Sequence, residues 1–455
     1  MRRRPNNQRG RLAQTALIAV VTLGALFAST STALAEDDQT RTYALIVANN
    51  SSVDPGVESL QYADDDGARY YELFDSMADE TRLLTTLDGD SQKVFPDVVP
   101  HTEAPTRANL REAVSEMREQ IRADEKEGVD SELYLVFSGH GNVDDDGKGY
   151  LSLRDGKLER NELFRDVVDE LGADYTHLII DACHAYFMVE SRGAPDDWQD
   201  DRSGESLDGE VDAYLNKREE VPVERSSNVG VIVSTSGTAE VHEWSRFRSG
   251  VFSHQLRSAL LGAADADDDR AVGYDEIEAY LVAANAGVSN PKARINVFVD
   301  PPEQDRSRSL TRLDEFEDAT LLEFPRSAGG QYYLEDARGL RYADFNVDQS
   351  LETRLVLLHE PVDGEGYFLR AGDQEARVEL DEARVESTQL AFADRTDQSR
   401  GAIEEAYRAG LFSVPYGDGF YRGFVAARDK GEGASEDDSV DEEGRWRVRP
   451  EAGYT

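Results

Sequence analysis

The chain is 455 residues long and carries 92 acidic against 49 basic side chains, which gives a formal net charge of −43. A surface this acidic repels nucleic acid and anionic lipid, so we expect neither as a partner. A solvated surface, an acidic pocket for cations and calcium sites are all compatible with this charge. Cys183 is the only cysteine, so the chain forms no internal disulfide. Its thiol is either free for chemistry or buried as a structural residue.

The first residues have the pattern of a secretory signal peptide. Five arginines lie at or before position 11, Thr15–Ala28 is apolar, and Ala33–Ala35 supplies small residues for cleavage. We expect a signal peptide over residues 1–35, a mature chain that begins near Glu36, and export to the periplasm or the cell exterior. A retained membrane anchor is the alternative, although the apolar run is short for a membrane span.

The predicted elements alternate between strand and helix over residues 41–300. Strands are expected at Tyr43–Ala48, Arg82–Leu87, Leu133–Phe137, Leu178–Ile180, Val229–Ser234 and Ile295–Val299, with helices at Asp66–Met77, Thr106–Ala123, Arg160–Leu171 and Val251–Leu261. Several of these strands are continuous apolar runs, which is typical of strands covered on both faces. The pattern predicts an α/β fold whose mostly parallel sheet is flanked by helices on both sides.

The composition changes after Pro301, where short strand patterns follow one another closely. These strands are expected at Thr320–Phe324, Gln331–Glu335, Thr353–His359, Tyr367–Arg370, Ala376–Leu380 and Gln389–Ala393. The spacing predicts a small β-rich, sandwich-like domain over residues 310–428, with a helix near 402–409. Residues 429–455 form an acidic tail that we expect to be disordered.

Two chemistry-bearing segments follow buried strand patterns. The first strand ends in Ser-Gly-His-Gly at 138–141, and the second ends in Asp-Ala-Cys-His at 181–184. Parallel strands place their carboxyl ends at one edge of a sheet, which is where α/β proteins form their sites. A thiol becomes a nucleophile when a neighbouring imidazole stabilises its thiolate. The pattern therefore predicts a dyad of His140 and Cys183.

These two segments, in this order, resemble the caspase/metacaspase family of cysteine endopeptidases over roughly residues 41–300. The resemblance implies a caspase-like fold, peptide or protein substrates, and hydrolysis without a cofactor. Cys183 would attack the carbonyl carbon, and His140 would protonate the leaving amine. The backbone N–H groups of Gly141 and Cys183 would stabilise the oxyanion. Metacaspases usually continue with Ser-Gly where this chain has Ala185-Tyr186, and caspases carry Gln at the position of Asp181.

The resemblance also implies a substrate pocket. Asp181 matches a metacaspase pocket residue that binds Arg or Lys, Asp66 matches a second pocket carboxylate, and Ser138 matches a third pocket member. Two carboxylates favour a guanidinium through charge-assisted hydrogen bonds. Asp66 could also cap a helix, alone or together with the pocket role. Arg246 favours the opposite specificity, because it follows a strand at the place where caspases position an arginine that binds substrate Asp.

Three functional alternatives remain open beside an endopeptidase specific for Arg or Lys: an Asp-specific peptidase, an acyl-transfer enzyme using the same thioester, and an inactive caspase-fold binding protein. The polar segment 190–228 is either a self-processing loop, as in many family members, or an acidic surface insertion. The sequence leaves the oligomeric state open.

An acidic segment between two predicted helices has calcium-loop spacing. Asp265, Asp267, Asp269 and Glu276 occupy the first, third, fifth and twelfth positions of an EF-hand pattern. The sixth position, which normally requires glycine, is Arg270. A calcium site and an empty acidic loop are both compatible with this pattern.

Overall fold

The computed structural model describes residues 40–144, 148–183, 185–189, 226–235, 243–288, 295–316, 319–336, 339–358, 366–394 and 410–429. The signal peptide and its cleavage site, nearly all of the 190–228 segment, the helix near 402–409 and the tail beyond residue 429 lie outside these ranges, so those predictions stay predictions. From residue 39 onward the chain forms one compact unit. Within the described ranges, no helix is both long and apolar enough to cross a membrane.

The strands up to residue 300 are β1 Thr40–Asn49, β2 Glu80–Leu84, β3 Thr102–Glu103, β4 Asp130–Gly139, β5 Gly141–Val143, β6 Gly149–Leu153, β7 Gly156–Glu159, β8 Tyr175–Asp181, β9 Val229–Thr235, β10 Glu243–Trp244, β11 Ser249–Gly250, β12 Ala271–Gly273 and β13 Asn296–Asp300. Those that follow are β14 Ser309–Arg312, β15 Thr320–Phe324, β16 Gly330–Asp336, β17 Arg341–Val347, β18 Thr353–Leu357, β19 Tyr367–Ala371, β20 Gln374–Val378, β21 Arg384–Glu386 and β22 Ala393–Asp394.

The α-helices are α1 Ala63–Asp75, α2 Ser91–Val94, α3 Arg107–Glu127, α4 Arg160–Glu162, α5 Asp169–Leu171, α6 Tyr186–Val189, α7 Val251–Ser258, α8 Tyr274–Asn285 and α9 Asp418–Asp429. A π-helical stretch, Leu163–Val168, joins α4 to α5, and another, Ala259–Ala263, extends α7. Short 3₁₀ segments lie at Val99–His101, Arg326–Ala328 and Ser387–Gln389.

A seven-stranded sheet in the order β13-β9-β8-β4-β1-β2-β3 forms the centre of the molecule. All neighbouring strands in it are parallel except β13, which pairs antiparallel with β9. Alternate residues of β1 point to opposite faces, so Leu45 packs in one apolar cluster with α3 and Ile46 in the other with α1 and α7. The predicted α/β architecture is confirmed.

The amphipathic helix α3 shows how the sequence determines one covering layer. Its Leu110, Val114, Met117 and Ile121 recur at helical spacing and are buried against the sheet. The Thr106 side chain accepts a hydrogen bond from the backbone N–H of Asn109 at 3.2 Å, which caps the amino end. Gly128 ends the helix at a φ of 77°, a left-handed conformation that favours glycine.

The C-terminal part is β-rich, as predicted, and forms two sheets in the orders β18-β15-β21 and β17-β16-β19-β20-β22. The sheets meet where Phe324 contacts the rings of Tyr332 and Phe345, both with centroids 5.0 Å apart. This core is continuous with the cluster around α1, α7 and α8. The predicted domain limits, 41–300 and 310–428, stay predictions.

Some element predictions in the C-terminal part are wrong. The strand expected at Gln389–Ala393 is replaced by the 3₁₀ turn Ser387–Gln389 and the two-residue β22. Strand β17 and helix α9 have no counterpart among the expected elements. These differences leave the predicted β-rich character intact.

Candidate active site

The adjacent strands β4 and β8 deliver the two motifs to one edge of the sheet. Ser138, next to the last residue of β4, is the register partner of Asp181, the last residue of β8. His140 and Cys183 therefore follow at the same carboxyl edge, and Cys183 is buried and forms no disulfide. The structure brings the two predicted catalytic side chains to the same end of neighbouring strands, although their catalytic roles stay a prediction.

The backbone at Gly141 lies directly against the nucleophile segment. A Cβ at this position would lie 2.4 Å from the carbonyl oxygen of Cys183 and 3.1 Å from the Cβ of Ala182. A contact of 2.4 Å is too short for any side chain, so the approach requires glycine. This geometry places the peptide of Gly141 beside Cys183, which is the arrangement that two oxyanion donors from these residues need.

The His140 ring is held by the loop between β1 and α1. Burial lowers the pKa of His140, while hydrogen-bonding backbone groups at Asn50 and Glu58 and the charge of Asp54 oppose that shift. The Nε2 atom is buried and has no hydrogen-bond partner among the described residues. A neutral ring with one free nitrogen can exchange a proton with a thiol. The β1–α1 loop was not among the sequence-predicted site elements.

Asp54 is itself fixed by two side chains from the β5–β6 hairpin. The Tyr150 hydroxyl donates to the Asp54 carboxylate at 2.6 Å, and the Asn142 amide donates to it at 3.2 Å. These two contacts hold the Asp54 side chain at a defined position near His140. A fixed negative charge favours an imidazolium, so Asp54 stabilises the charged form of the ring.

The two predicted pocket carboxylates meet at Gly250. A Cβ built there would lie 2.7 Å from Oδ2 of Asp181 and 3.2 Å from Oδ2 of Asp66. The two residues come from different elements, the end of β8 and the first turns of α1. Both carboxylates therefore lie so close to the backbone at position 250 that a side chain there would crowd them.

Hydroxyl and backbone groups orient both carboxylates. Ser234 and Ser253 donate to Asp181 at 2.9 and 2.6 Å. Asp66 accepts from the Ser249 hydroxyl and, at 2.9 Å, from the backbone N–H of Gly250. Their positions are fixed by these contacts, none of which supplies a full positive charge.

One cation, Arg257, lies within this group. Its Nη2 is 3.6 Å from Asp66 and donates to Ser249 at 2.9 Å, while its buried Nε has no hydrogen-bond partner in the described part of the chain. Burial raises the pKa of Asp66 well above its usual range, with Arg257 opposing, and burial also raises the pKa of Asp181. One guanidinium does not compensate two buried carboxylates.

The third predicted pocket residue, Ser138, and Arg246, which favours the opposite specificity, have different surroundings. Ser138 is buried in β4 beside Asp181. Arg246 lies over the Tyr333 ring, 5.9 Å from its centroid, and so faces the C-terminal part. The helix that contains Asp66 begins three residues earlier than expected, with Tyr62 as its N-cap. The capping alternative for Asp66 is therefore wrong.

The acidic loop brings together three of its four predicted ligands. Oxygen atoms of Asp265, Asp267 and Asp269 lie within 4.8 Å of one another. Glu276 is not in this group, because its Oε1 accepts from the N–H of Ala266 and its Oε2 from that of Gly273, each at 2.8 Å. Burial raises the pKa of Glu276 to about 8.

The sixth position of this loop adopts the turn that the pattern normally assigns to glycine. Arg270 has a φ of 67°, and Asp268 has a φ of 68°. The flanking helices α7, with its π-helical extension, and α8 are present as expected. The sixth position thus has the backbone conformation that the predicted calcium motif requires there, while calcium binding stays a prediction.

The chain belongs to the family described as Caspase domain, whose match covers residues 41–306, more than half of the sequence. This confirms the resemblance and supports cysteine peptidase activity in general terms. A search of curated proteins gives no significant match.

Among solved structures, caspase-1 from Spodoptera frugiperda is 12% identical with a TM-score of 0.33, and the match covers 58% of this chain and 90% of that chain. The structure of pro-sf-caspase-1 is 12% identical with a TM-score of 0.32, covering 58% of this chain and 86% of that chain. The caspase-like fold assignment rests on the family match and on the sheet topology.

Proposed function

We propose that this chain is an exported cysteine endopeptidase that hydrolyses peptide bonds after Arg or Lys through the dyad of Cys183 and His140. The observation that carries the proposal is the convergence of Asp66 and Asp181 on Gly250. Asp181 ends β8 and lies two residues before Cys183. A substrate cation between these carboxylates would supply the positive charge that their burial lacks.

The chemistry begins with a proton moving from the Cys183 thiol to the free nitrogen of His140. The thiolate attacks the carbonyl carbon of the scissile bond, and the developing oxyanion is stabilised by the N–H groups of Gly141 and Cys183. The imidazolium then protonates the leaving amine, which gives a thioester that water hydrolyses. Asp54 favours the imidazolium and so assists the charged stages.

The specificity follows from the charges in the pocket. Two carboxylates and the Arg257 guanidinium leave one net negative charge, which the side chain of a substrate Arg or Lys neutralises. A substrate Asp would add a third buried carboxylate, and its desolvation would not be compensated. Arg246 offers no counter-charge in the pocket, because it lies over Tyr333.

A panel of fluorogenic peptides that differ only in the residue before the scissile bond tests the proposal. We expect Arg and Lys peptides to be cleaved about a hundredfold better than Asp or Gln peptides, since a broken buried ion pair costs several kcal/mol. Asp181→Asn should remove most of this preference, and Arg246→Ala, the matched control, should retain it. Preferred cleavage of Asp peptides that Arg246→Ala abolishes would establish the Asp-specific alternative instead.

Export is tested separately, by determining the amino-terminal sequence of the protein recovered from the periplasmic or culture fraction. A mature chain that begins near Glu36 agrees with the signal-peptide prediction. An uncut amino terminus in the membrane fraction would favour the retained anchor.

A further inference from the structure

Helix α7 lies between the pocket and the C-terminal strands and contacts both through neighbouring residues. Ser253 donates to Asp181 at 2.6 Å on the pocket side. The next residue, His254, has its Nε2 atom 2.9 Å from Oδ2 of Asp344 in β17. Successive residues of a helix point about 100° apart, so one turn of α7 joins the pocket carboxylate to the C-terminal sheet.

Strand β17 also holds the other helix that contributes to the pocket. Arg69 of α1 donates through Nη1 to the backbone carbonyl of Arg341, and Arg341 pairs with Asp344 through its Nη1. Asp66 lies one turn before Arg69 on the same helix. Both halves of the carboxylate pair are thus attached to β17, one through α1 and the other through α7.

These connections are buried, so they do not adjust freely. His254 is fully buried, and Arg69, Arg341 and Asp344 are each less than 8% exposed. The Ser258 hydroxyl adds a contact by accepting from the backbone N–H of Asp344 at 3.2 Å. Burial lowers the pKa of His254 to about 4, so the ring is neutral near pH 7 and hydrogen-bonds to a charged Asp344. Packed interiors transmit a displacement instead of absorbing it.

We propose that Asp344 is a positioning residue for the substrate-cation pocket, so that the C-terminal β-rich part is a structural component of that pocket. Asp344 touches no substrate. It fixes the position of α7 along its axis and its rotation about that axis. These two quantities determine where Ser249, Gly250 and Ser253 lie against the two carboxylates. The ligand of the pocket is the guanidinium or ammonium group of a substrate side chain, and in this respect the inference rests on the proposed function.

The test compares Asp344→Asn with Asp373→Asn, a matched change at an exposed turn of the same C-terminal part. We expect Asp344→Asn to raise KM for an Arg peptide about tenfold, a shift typical of coupled neighbouring groups. The kcat and the rate of Cys183 alkylation by iodoacetamide should change less than about twofold. Asp373→Asn should match the wild type in all three measurements.

A double variant separates positioning from a general loss of structure. If Asp344 acts through Asp181, adding Asp344→Asn to Asp181→Asn should cause no further loss with Arg peptides. Full additivity of the two losses would overturn the proposal. Ser258→Ala removes the acceptor of the Asp344 N–H together with a donor to the carbonyl of His254, and it provides a milder perturbation should Asp344→Asn fail to fold. It should raise KM about threefold with kcat unchanged, and an unchanged KM would count against the proposal.

The outcomes distinguish this inference from the proposed function. Efficient wild-type cleavage of Arg peptides, together with equal KM values for Asp344→Asn and Asp373→Asn, overturns the positioning role and leaves the proposed function intact. The proposed function itself is overturned if the wild type fails to cleave Arg or Lys peptides. It is also overturned if the Cys183→Ala protein fails to bind agmatine in calorimetry.

Discussion

The two ends of the central sheet both bury acidic side chains, but they compensate them differently. At the carboxyl end, Asp66 lies 3.6 Å from the Arg257 guanidinium, and burial raises the pKa of both Asp66 and Asp181. At the amino end, burial of Glu132 near the start of β4 is outweighed by His177 and Arg308, which bring the pKa of Glu132 to about 2.

The amino end is a closed network of hydrogen bonds. Glu132 pairs with Arg308 at 2.6 Å and with Nε2 of His177 at 2.6 Å, while Nδ1 of His177 meets the Tyr274 hydroxyl at 2.6 Å. Arg308 leads into β14, so this network joins the sheet to the segment that follows it. Every group has a partner of suitable chemistry, and nothing further is needed to stabilise the charges.

Under the proposed function, one sheet separates stability from recognition. A buried carboxylate with two cationic or donor partners holds elements together, whereas the proposed role of a pair of carboxylates with too little positive charge is to bind a cation. The carboxyl end also contains the free Nε2 of His140 and the buried Nε of Arg257, neither of which has a hydrogen-bond partner among the described residues. The following predictions test this division.

The largest expected effect is the loss of catalysis at the carboxyl end. Cys183→Ala and His140→Ala should each lower peptide cleavage by about a thousandfold or more, because the nucleophile and its proton acceptor act as a unit. Their unfolding free energies should stay within about 1 kcal/mol of the wild type. His101→Ala, which changes an exposed histidine, is the control. Near-normal turnover by a folded Cys183→Ala protein would refute the dyad.

The next effect is on stability at the amino end. Glu132→Gln should lower the unfolding free energy by about 3 kcal/mol, since it leaves the buried His177 and the half-buried Arg308 without their carboxylate. Asp181→Asn should change it by less than about 1 kcal/mol, because it removes an under-compensated charge. Urea unfolding monitored by tryptophan fluorescence compares the two. An equal decrease of the unfolding free energy in both variants would contradict the proposed contrast between the two ends.

The two ends should also give opposite dependences on pH. The pKa of Glu132 lies below its usual range, so its contribution is present above about pH 4.5 and disappears as the pH falls towards about 2. The pKa of Asp181 lies above its usual range, so its carboxyl group destabilises the fold as the pH rises beyond the ordinary carboxyl range. A plot of the unfolding midpoint against pH should become flatter on the acid side in Glu132→Gln and on the neutral side in Asp181→Asn.

The smallest expected effect concerns the acidic loop, which belongs to neither end. If Asp265, Asp267 and Asp269 bind calcium, about 5 mM Ca²⁺ should raise Tm by about 2 °C through preferential binding to the folded state. Asp267→Asn should remove this increase, whereas Asp373→Asn should keep it. Calorimetry that finds the same small shift in both variants would assign it to general charge screening, since 92 acidic side chains are available for it.

The sequence was sufficient for features with local signals. Continuous apolar runs predicted β1, β4, β8 and β9, and the motifs at their ends identified His140 and Cys183 as a pair at one edge. The positions of Ser249 and Arg257 beside Asp66 had no such signal, because these contacts join residues more than 180 positions apart. Their proximity depends on how α1 and α7 pack, which periodicity does not encode.

The sequence analysis missed strand β17 for a related reason. Its sequence RYADFNV places Arg341 and Asp344 at buried positions, where a strand pattern is expected to be apolar. Their charges are compensated by each other and by His254 and Glu335 across element boundaries. Only the folded chain shows that these polar residues belong to a core.

The residue type at the position of Gly250 indicates whether another caspase-domain sequence can form the proposed pocket. Any side chain there would lie against the carboxylates of Asp66 and Asp181 and, in the proposed pocket, exclude a substrate cation. A relative that retains both carboxylates but has a larger residue at the matching position should therefore have lost selectivity for basic substrates. This one backbone position is a more sensitive marker of the trait than the acidic residues themselves, because those also serve to anchor α1 and α7 to the sheet.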